Sequence, residues 1–113
     1  MQLDYHIIDV FTDQPFSGNP LAVVLDTAQL SASTMQAIAR EFNLSETVFV
    51  QAPESLMHAA RMRIFTPNKE LNFAGHPTVG TAALLADLRS PTVNGERDAI
   101  IALEQPIGTV RVG

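Results

Sequence analysis

Residues 71–86 constrain the fold most, because this stretch carries no charged side chain when His76 is counted as neutral. Pro77 suits the first position of a helix, and the residues from Thr78 onward are compatible with a helix despite Gly80. A helix that is apolar on every face must be buried on every face. We therefore predict that this helix lies at the centre of the molecule, with a curved sheet wrapped around it.

The remainder of the chain predicts one amphipathic helix and about six short strands. Four apolar side chains share one helical face, with Ser31 or Ser33 as N-cap and Asn43 as a left-handed C-cap: Met35, Ile38, Ala39 and Phe42. Runs typical of strands occupy residues 5–11, 21–25, 46–51, 59–65, 98–103 and 109–112. The predicted fold class is α+β, a mixed and mainly antiparallel sheet curled around a central buried helix.

Composition limits the classes of function. The chain has 113 residues, 46% of them hydrophobic, and a formal net charge of -5, which argues against a nucleic acid as partner. It has no cysteine, so disulfides and thiolate chemistry are excluded. Neither a signal peptide nor a membrane span is evident, so we expect a single cytoplasmic domain without a membrane partner.

The first candidate site lies where the charge-free helix begins, at Gly75 and His76. The first turn of a helix has unpaired N–H groups and a partial positive charge, and a glycine lets a ligand approach the backbone closely. His76 is able to bind a carboxylate or to move a proton. The alternative is that Gly75 only permits a tight entry into the helix and that His76 bonds a nearby carbonyl group.

The second candidate is Glu46, which lies between a predicted helix and a predicted strand. Its neighbours Leu44, Val48 and Phe49 are apolar, so partial desolvation would make Glu46 a better proton acceptor near neutral pH. The alternative is a solvated glutamate at the edge of a strand. The three histidines are far apart in sequence, and we expect no metal site and no cofactor.

Five segments taken together resemble the PhzF-like (phenazine biosynthesis PhzF) family, relatives of diaminopimelate epimerase. They are residues 9–12, 16–24, 35–49, 63–67 and 70–82, which include the sequences DVFT, FSGNPLAVV, RIFTP and AGHPTVGTA. The resemblance implies two similar halves, each a sheet curled around a helix, with the active site between them. It also implies cofactor-independent isomerisation or epimerisation of a small carboxylic or amino acid.

The same resemblance assigns roles to four residues. It implies that Glu46 is the catalytic acid or base, that Gly75 and His76 contact the substrate, and that Ser45 lines the same pocket. Family members are more than twice as long, so residues 1–113 are expected to form an N-terminal half-domain whose C-terminal half is absent. We expect a homodimer, or pairing with that missing half.

A non-catalytic module that binds a small anion or serves in assembly is the alternative function. A second acid facing Glu46 would favour the isomerase, and the sequence assigns none.

Overall fold

The computed structural model describes residues 3–10, 19–55, 58–89 and 101–112. These ranges contain seven strands and two helices. In chain order the elements are β1 (Tyr5–Val10), β2 (Asn19–Val24), α1 (Ala32–Phe42), β3 (Glu46–Gln51), β4 (Ala60–Phe65), β5 (Glu70–Leu71), α2 (Gly75–Arg89), β6 (Ile101–Gln105) and β7 (Gly108–Val112). Of the predicted strands, residue 11 of the first and residues 98–100 of the fifth lie outside the described residues.

The seven strands form one mixed sheet in the order β1-β2-β3-β4-β6-β7, with β5 beside β4. Strands joined directly are antiparallel, whereas β2 with β3 and β4 with β6 are parallel. Each parallel pair is separated in sequence by a helix, as a parallel connection requires. The predicted α+β class with a mainly antiparallel sheet is confirmed.

Helix α1 forms where its local signals predict. Ser31 is the N-cap, because its side chain accepts the N–H of Thr34, and Asn43 ends the helix in the left-handed conformation with φ 54°. Met35 and Ala39 on the predicted apolar face are fully buried. Ser33, the other candidate cap, does not cap the helix. Its hydroxyl shares a hydrogen bond of 3.1 Å with the Ser31 hydroxyl.

The two faces of the sheet support two separate cores. One core, packed on α2, includes Val48, Met62, Ile64, Ala82 and Leu85. The other, packed on α1, includes Val24, Met35, Ala39, Phe49 and Phe65. Because side chains alternate along a strand, neighbouring residues of β3 and β4 enter different cores.

Helix α2 is buried on one side only, so the prediction of burial on every face is wrong. Thr81 and Leu85 are buried, whereas Val79 is 40% exposed and Leu88 is 48% exposed. Strands β1 and β7, at opposite ends of the sheet order, both contact α2. The face of α2 that carries Val79 is left uncovered.

The start of α2 also differs from its prediction. The helix begins at Gly75, which makes Pro77 its third residue rather than its first. Pro77 is tolerated there because the first N–H groups of a helix have no acceptor within the helix.

Within the described ranges, no helix combines the length and apolar character that crossing a membrane needs.

Glu104 of β6 fixes the segment that follows β3. Its carboxylate accepts the backbone N–H of Glu54 at 2.7 Å, that of Ser55 at 3.1 Å, and His58 Nδ1 at 2.5 Å. The Glu54 N–H, followed by the His58 ring, lowers the pKa of Glu104 to about 2 from its ordinary value of 4.5, although partial burial opposes the shift. The ionised form therefore stabilises the fold.

The one-sided burial of α2 predicts that aspartate is tolerated at Val79 but not at Leu85. Leu85→Asp puts an unpaired charge into a core, at a cost of about 4 kcal/mol or more, which is a large part of a small domain's stability. We expect this variant to lose its cooperative thermal transition, whereas Val79→Asp keeps a cooperative transition. A cooperative transition near the wild-type temperature in Leu85→Asp would contradict the described packing.

The low pKa of Glu104 predicts a pH-dependent contribution to stability. Because the pKa is lower in the folded state, the contribution is present above about pH 4.5 and is lost as the pH falls towards 2. Thermal melting should show Glu104→Gln to be less stable than the wild type at pH 7, with a difference that narrows below pH 4.5. Glu41→Gln, on the exposed side of α1, is the control. If its stability difference from the wild type narrowed equally below pH 4.5, the pH dependence could not be assigned to Glu104.

Candidate active site

The structure brings Glu46 and His76 together, although 30 positions separate them in the sequence. His76 Nδ1 lies 2.6 Å from Glu46 Oε1, and a carboxylate only accepts, so Nδ1 is assigned as the donor. The side chains are 15% exposed for His76 and 19% for Glu46. The pair is thus a charge-assisted hydrogen bond at a site from which most water is excluded.

Glu46 owes its direction to the alternation of β3. It is the first residue of the strand and shares a face with Val48 and Val50, both of which belong to the core under α2. The left-handed Asn43 ends α1 only three residues earlier, so the strand starts close to the helix end. Glu46 is consequently the polar end of a row of side chains that faces α2.

A hydrogen-bonded turn joins β4 to β5. Thr66 Oγ1 accepts the N–H groups of Asn68 and Lys69 at 3.1 and 3.0 Å, and Gln36 Nε2 on α1 donates to the Thr66 carbonyl at 2.8 Å. These bonds fix the turn and hold it against α1. Strand β5 follows and leads directly into α2.

The beginning of α2 is open to a ligand at Gly75. The first turn contains no acidic residue, and Ala74, whose carbonyl accepts the Thr78 N–H, has no side-chain acceptor to cap the helix. A Cβ added to Gly75 would meet no atom within 4 Å, and the φ of Gly75 is not in the left-handed region. The folded chain alone therefore does not require glycine at this position, and there is free space beside its backbone.

The predicted site residues are therefore adjacent. Gly75 precedes His76, which is bonded to Glu46, and Ser45 is exposed immediately before Glu46. His76 bonds the carboxylate of the other candidate residue, Glu46. A carboxylate joined to an imidazole beside a helix N-terminus can exchange protons and can bind an anion.

Other depressions of the described surface lie away from this pair. One, of about 410 Å³, lies on the outer side of α1 beside Ile38 and Phe42. Another, of about 480 Å³, is bordered by His58, Arg61 and Glu104. Among the described residues, no group of three or more acids and histidines could hold a metal ion.

Comparison with known proteins identifies the family. The family described as phenazine biosynthesis-like protein, PhzC-PhzF, matches residues 8–113. The chain belongs to this family. The resemblance inferred from the five sequence segments is confirmed.

Two relatives have names that state an activity. An uncharacterised isomerase of Mesorhizobium japonicum is 56% identical over 108 residues, which are 96% of this chain and 34% of the relative. The trans-2,3-dihydro-3-hydroxyanthranilate isomerase of Pseudomonas aeruginosa is 46% identical over 106 residues, 94% of this chain and 35% of the relative. The chain spans about a third of the length of these relatives.

Solved structures support the same fold. A predicted epimerase from Pseudomonas aeruginosa superposes with a TM-score of 0.85 at 38% identity, over 97% of this chain and 37% of the other. A hydroxyproline epimerase from Agrobacterium vitis superposes with a TM-score of 0.68 at 13% identity, over 96% of this chain and 36% of the other. The second likeness concerns the fold alone.

Proposed function

We propose that this chain carries one half of the active site of a cofactor-independent isomerase or epimerase that moves a proton on a small carboxylic or amino acid. The observation that carries the proposal is the 2.6 Å contact between Glu46 and His76 at the start of α2. The names of the relatives support the reaction class, and trans-2,3-dihydro-3-hydroxyanthranilate is the first substrate to test.

In this proposal Glu46 takes the proton from one carbon of the substrate and gives it to another during isomerisation, or makes one of these two transfers during epimerisation. His76 holds the carboxylate through Oε1, so its orientation is fixed before the substrate arrives. Because both side chains are largely buried, the electrostatic interaction between them is stronger than it would be in water. Glu46 therefore acts as the general base in one step and as the general acid in the other.

The start of α2 stabilises the negative charge of the substrate. Removal of a proton next to a carboxylate adds negative charge to that group. The first-turn N–H groups of α2, beside the open space at Gly75, are suited to binding this charge as it develops. Ser45, which is exposed next to Glu46, supplies a hydroxyl group for a further hydrogen bond to the substrate.

Epimerisation needs a second acid on the opposite face of the substrate carbon. We propose that a partner supplies it, either the remainder of a longer protein or a second copy of this chain. A non-catalytic module would bind the same anions but would exchange no proton, so a proton-exchange experiment separates the two functions.

The catalytic role of Glu46 predicts a large loss of exchange in Glu46→Gln. This variant keeps the shape of the side chain but removes the base, so the rate should fall by about 10² to 10⁴ while folding changes little. Incorporation of deuterium from solvent into the substrate, followed by NMR, measures the rate. The chain is tested alone and mixed with the part of the Mesorhizobium isomerase that this chain does not match.

Ser33→Ala, which changes an exposed hydroxyl on the outer side of α1, is the control for handling and folding. Exchange in Glu46→Gln at the wild-type rate would remove Glu46 from the mechanism. If the wild-type mixture binds the substrate and exchanges nothing, the anion-binding module replaces the enzyme.

The uncovered face of α2 predicts association. Val79 and Ala83 are exposed apolar residues four positions apart on this face, and apolar surface that a partner covers favours binding. Sedimentation equilibrium at micromolar concentration should detect species heavier than the 12.2 kDa monomer, and Val79→Asp should shift them towards the monomer. A wild-type chain that stays at 12.2 kDa would contradict self-association.

A further inference from the structure

Gln105, the last residue of β6, is joined to the first turn of α2 by two consecutive hydrogen bonds. Its Nε2 donates to Thr78 Oγ1 at 3.1 Å, and Thr78 Oγ1 lies 2.7 Å from the carbonyl oxygen of Ala74. Gln105 is 7% exposed and Thr78 is 2% exposed. The sheet therefore contacts the start of α2 through buried polar groups as well as through apolar packing.

The direction of both bonds follows from the groups that form them. A carbonyl oxygen only accepts, so the single proton of the Thr78 hydroxyl goes to Ala74. The hydroxyl must then accept from Gln105, which places the amide nitrogen of Gln105 towards α2. A glutamate at position 105 could not donate this bond in its ionised form, and a methionine could not make it at all.

The other end of the Gln105 amide shows that stability alone does not account for this residue. Its Oε1 is buried and has no hydrogen-bond partner in the described structure. Burial of an unpaired acceptor is unfavourable, and such a group in a folded protein needs an explanation. An apolar side chain of the same length would avoid this cost while filling the same space.

The position of the bonded carbonyl supplies the explanation. Ala74 directly precedes Gly75 and His76, the residues that face the candidate ligand space. Around Gly75, no neighbouring atom lies within 4 Å of where a Cβ would be, so packing does not fix that side of the turn. The hydrogen bonds of Thr78 and Gln105 instead hold the first turn of α2 from the side that faces the sheet.

We propose that Gln105 is a positioning residue for the active site. Through Thr78 it sets the place of the first turn of α2, and with it the contact between His76 and Glu46 and the direction of the first N–H groups. This inference rests on the proposed function, since the geometry that it maintains is that of the proposed substrate site.

The experiment compares isosteric variants of the 113-residue chain. Gln105→Met and Thr78→Val each remove the bond between β6 and α2, whereas Thr78→Ser keeps the hydroxyl. Leu85→Ala destabilises the same helix at a distance from its first turn and is the control for lost stability. The readouts are the thermal melting temperature, the NMR shifts of the His76 ring nitrogens, and the affinity for lactate as a small carboxylate probe.

We expect Gln105→Met to melt at or above the wild-type temperature, because it removes the unpaired oxygen. Gln105→Met and Thr78→Val should nevertheless bind lactate about tenfold more weakly, which is the loss of affinity expected for one lost hydrogen bond. Both variants should also change the NMR shifts of the His76 ring nitrogens. Thr78→Ser and Leu85→Ala should leave both readouts at the wild-type values. If Gln105→Met does not fold, the comparison of Thr78→Val with Thr78→Ser in both readouts tests the positioning role in its place.

Two results would overturn the positioning role. One is wild-type lactate affinity and wild-type His76 shifts in Gln105→Met and Thr78→Val. The other is an equal change of lactate affinity and His76 shifts in Leu85→Ala, which would mean that the effect comes from lost stability alone.

Gly75→Val separately tests the anion site, since its side chain would occupy the ligand space. If the wild type does not bind lactate, the anion site fails, and the His76 shifts alone decide on Gln105.

Discussion

Burial of β3 on both faces determines how the rest of the structure is arranged. The four residues from Thr47 to Val50 are buried, and alternate side chains enter the cores under α2 and α1. A strand so enclosed has one permitted register, because a shift by one residue would exchange the two sets of side chains. The direction of Glu46 towards α2 is therefore fixed by the packing of residues further along the strand.

The sequence predicts the parts of the fold that depend on local signals. Helix α1 has a capping serine, a periodic apolar face and an asparagine that ends it, and each acts within a few residues. The prediction that α2 is buried on every face is wrong, because an absence of charge does not distinguish a face covered by the chain's own sheet from one left open. Val79 belongs to the open face, and only the tertiary structure separates it from Leu85.

The candidate site shows the same division between local and distant information. Glu46 and His76 could each be selected from their neighbours and from the family resemblance, but their contact spans 30 positions and depends on the path of the sheet. The sequence does not single out Gln105 as a candidate site residue, because a glutamine before Pro106 resembles an ordinary residue at the end of a strand. Its partner Thr78 lies 27 positions away, so no local pattern could have indicated it.

The pairing of β4 with β6 has a consequence for the order of folding. Ala60 pairs with Leu103, so this pairing must close a loop of about 40 residues, whereas β1 with β2 and β3 with β4 join segments closer in sequence. Contacts between distant segments form late, because the entropy of loop closure is lost before they are made. We therefore expect β6 to dock after the first four strands have assembled. The start of α2 would then acquire its final geometry only in the last stage of folding, when Gln105 arrives with β6.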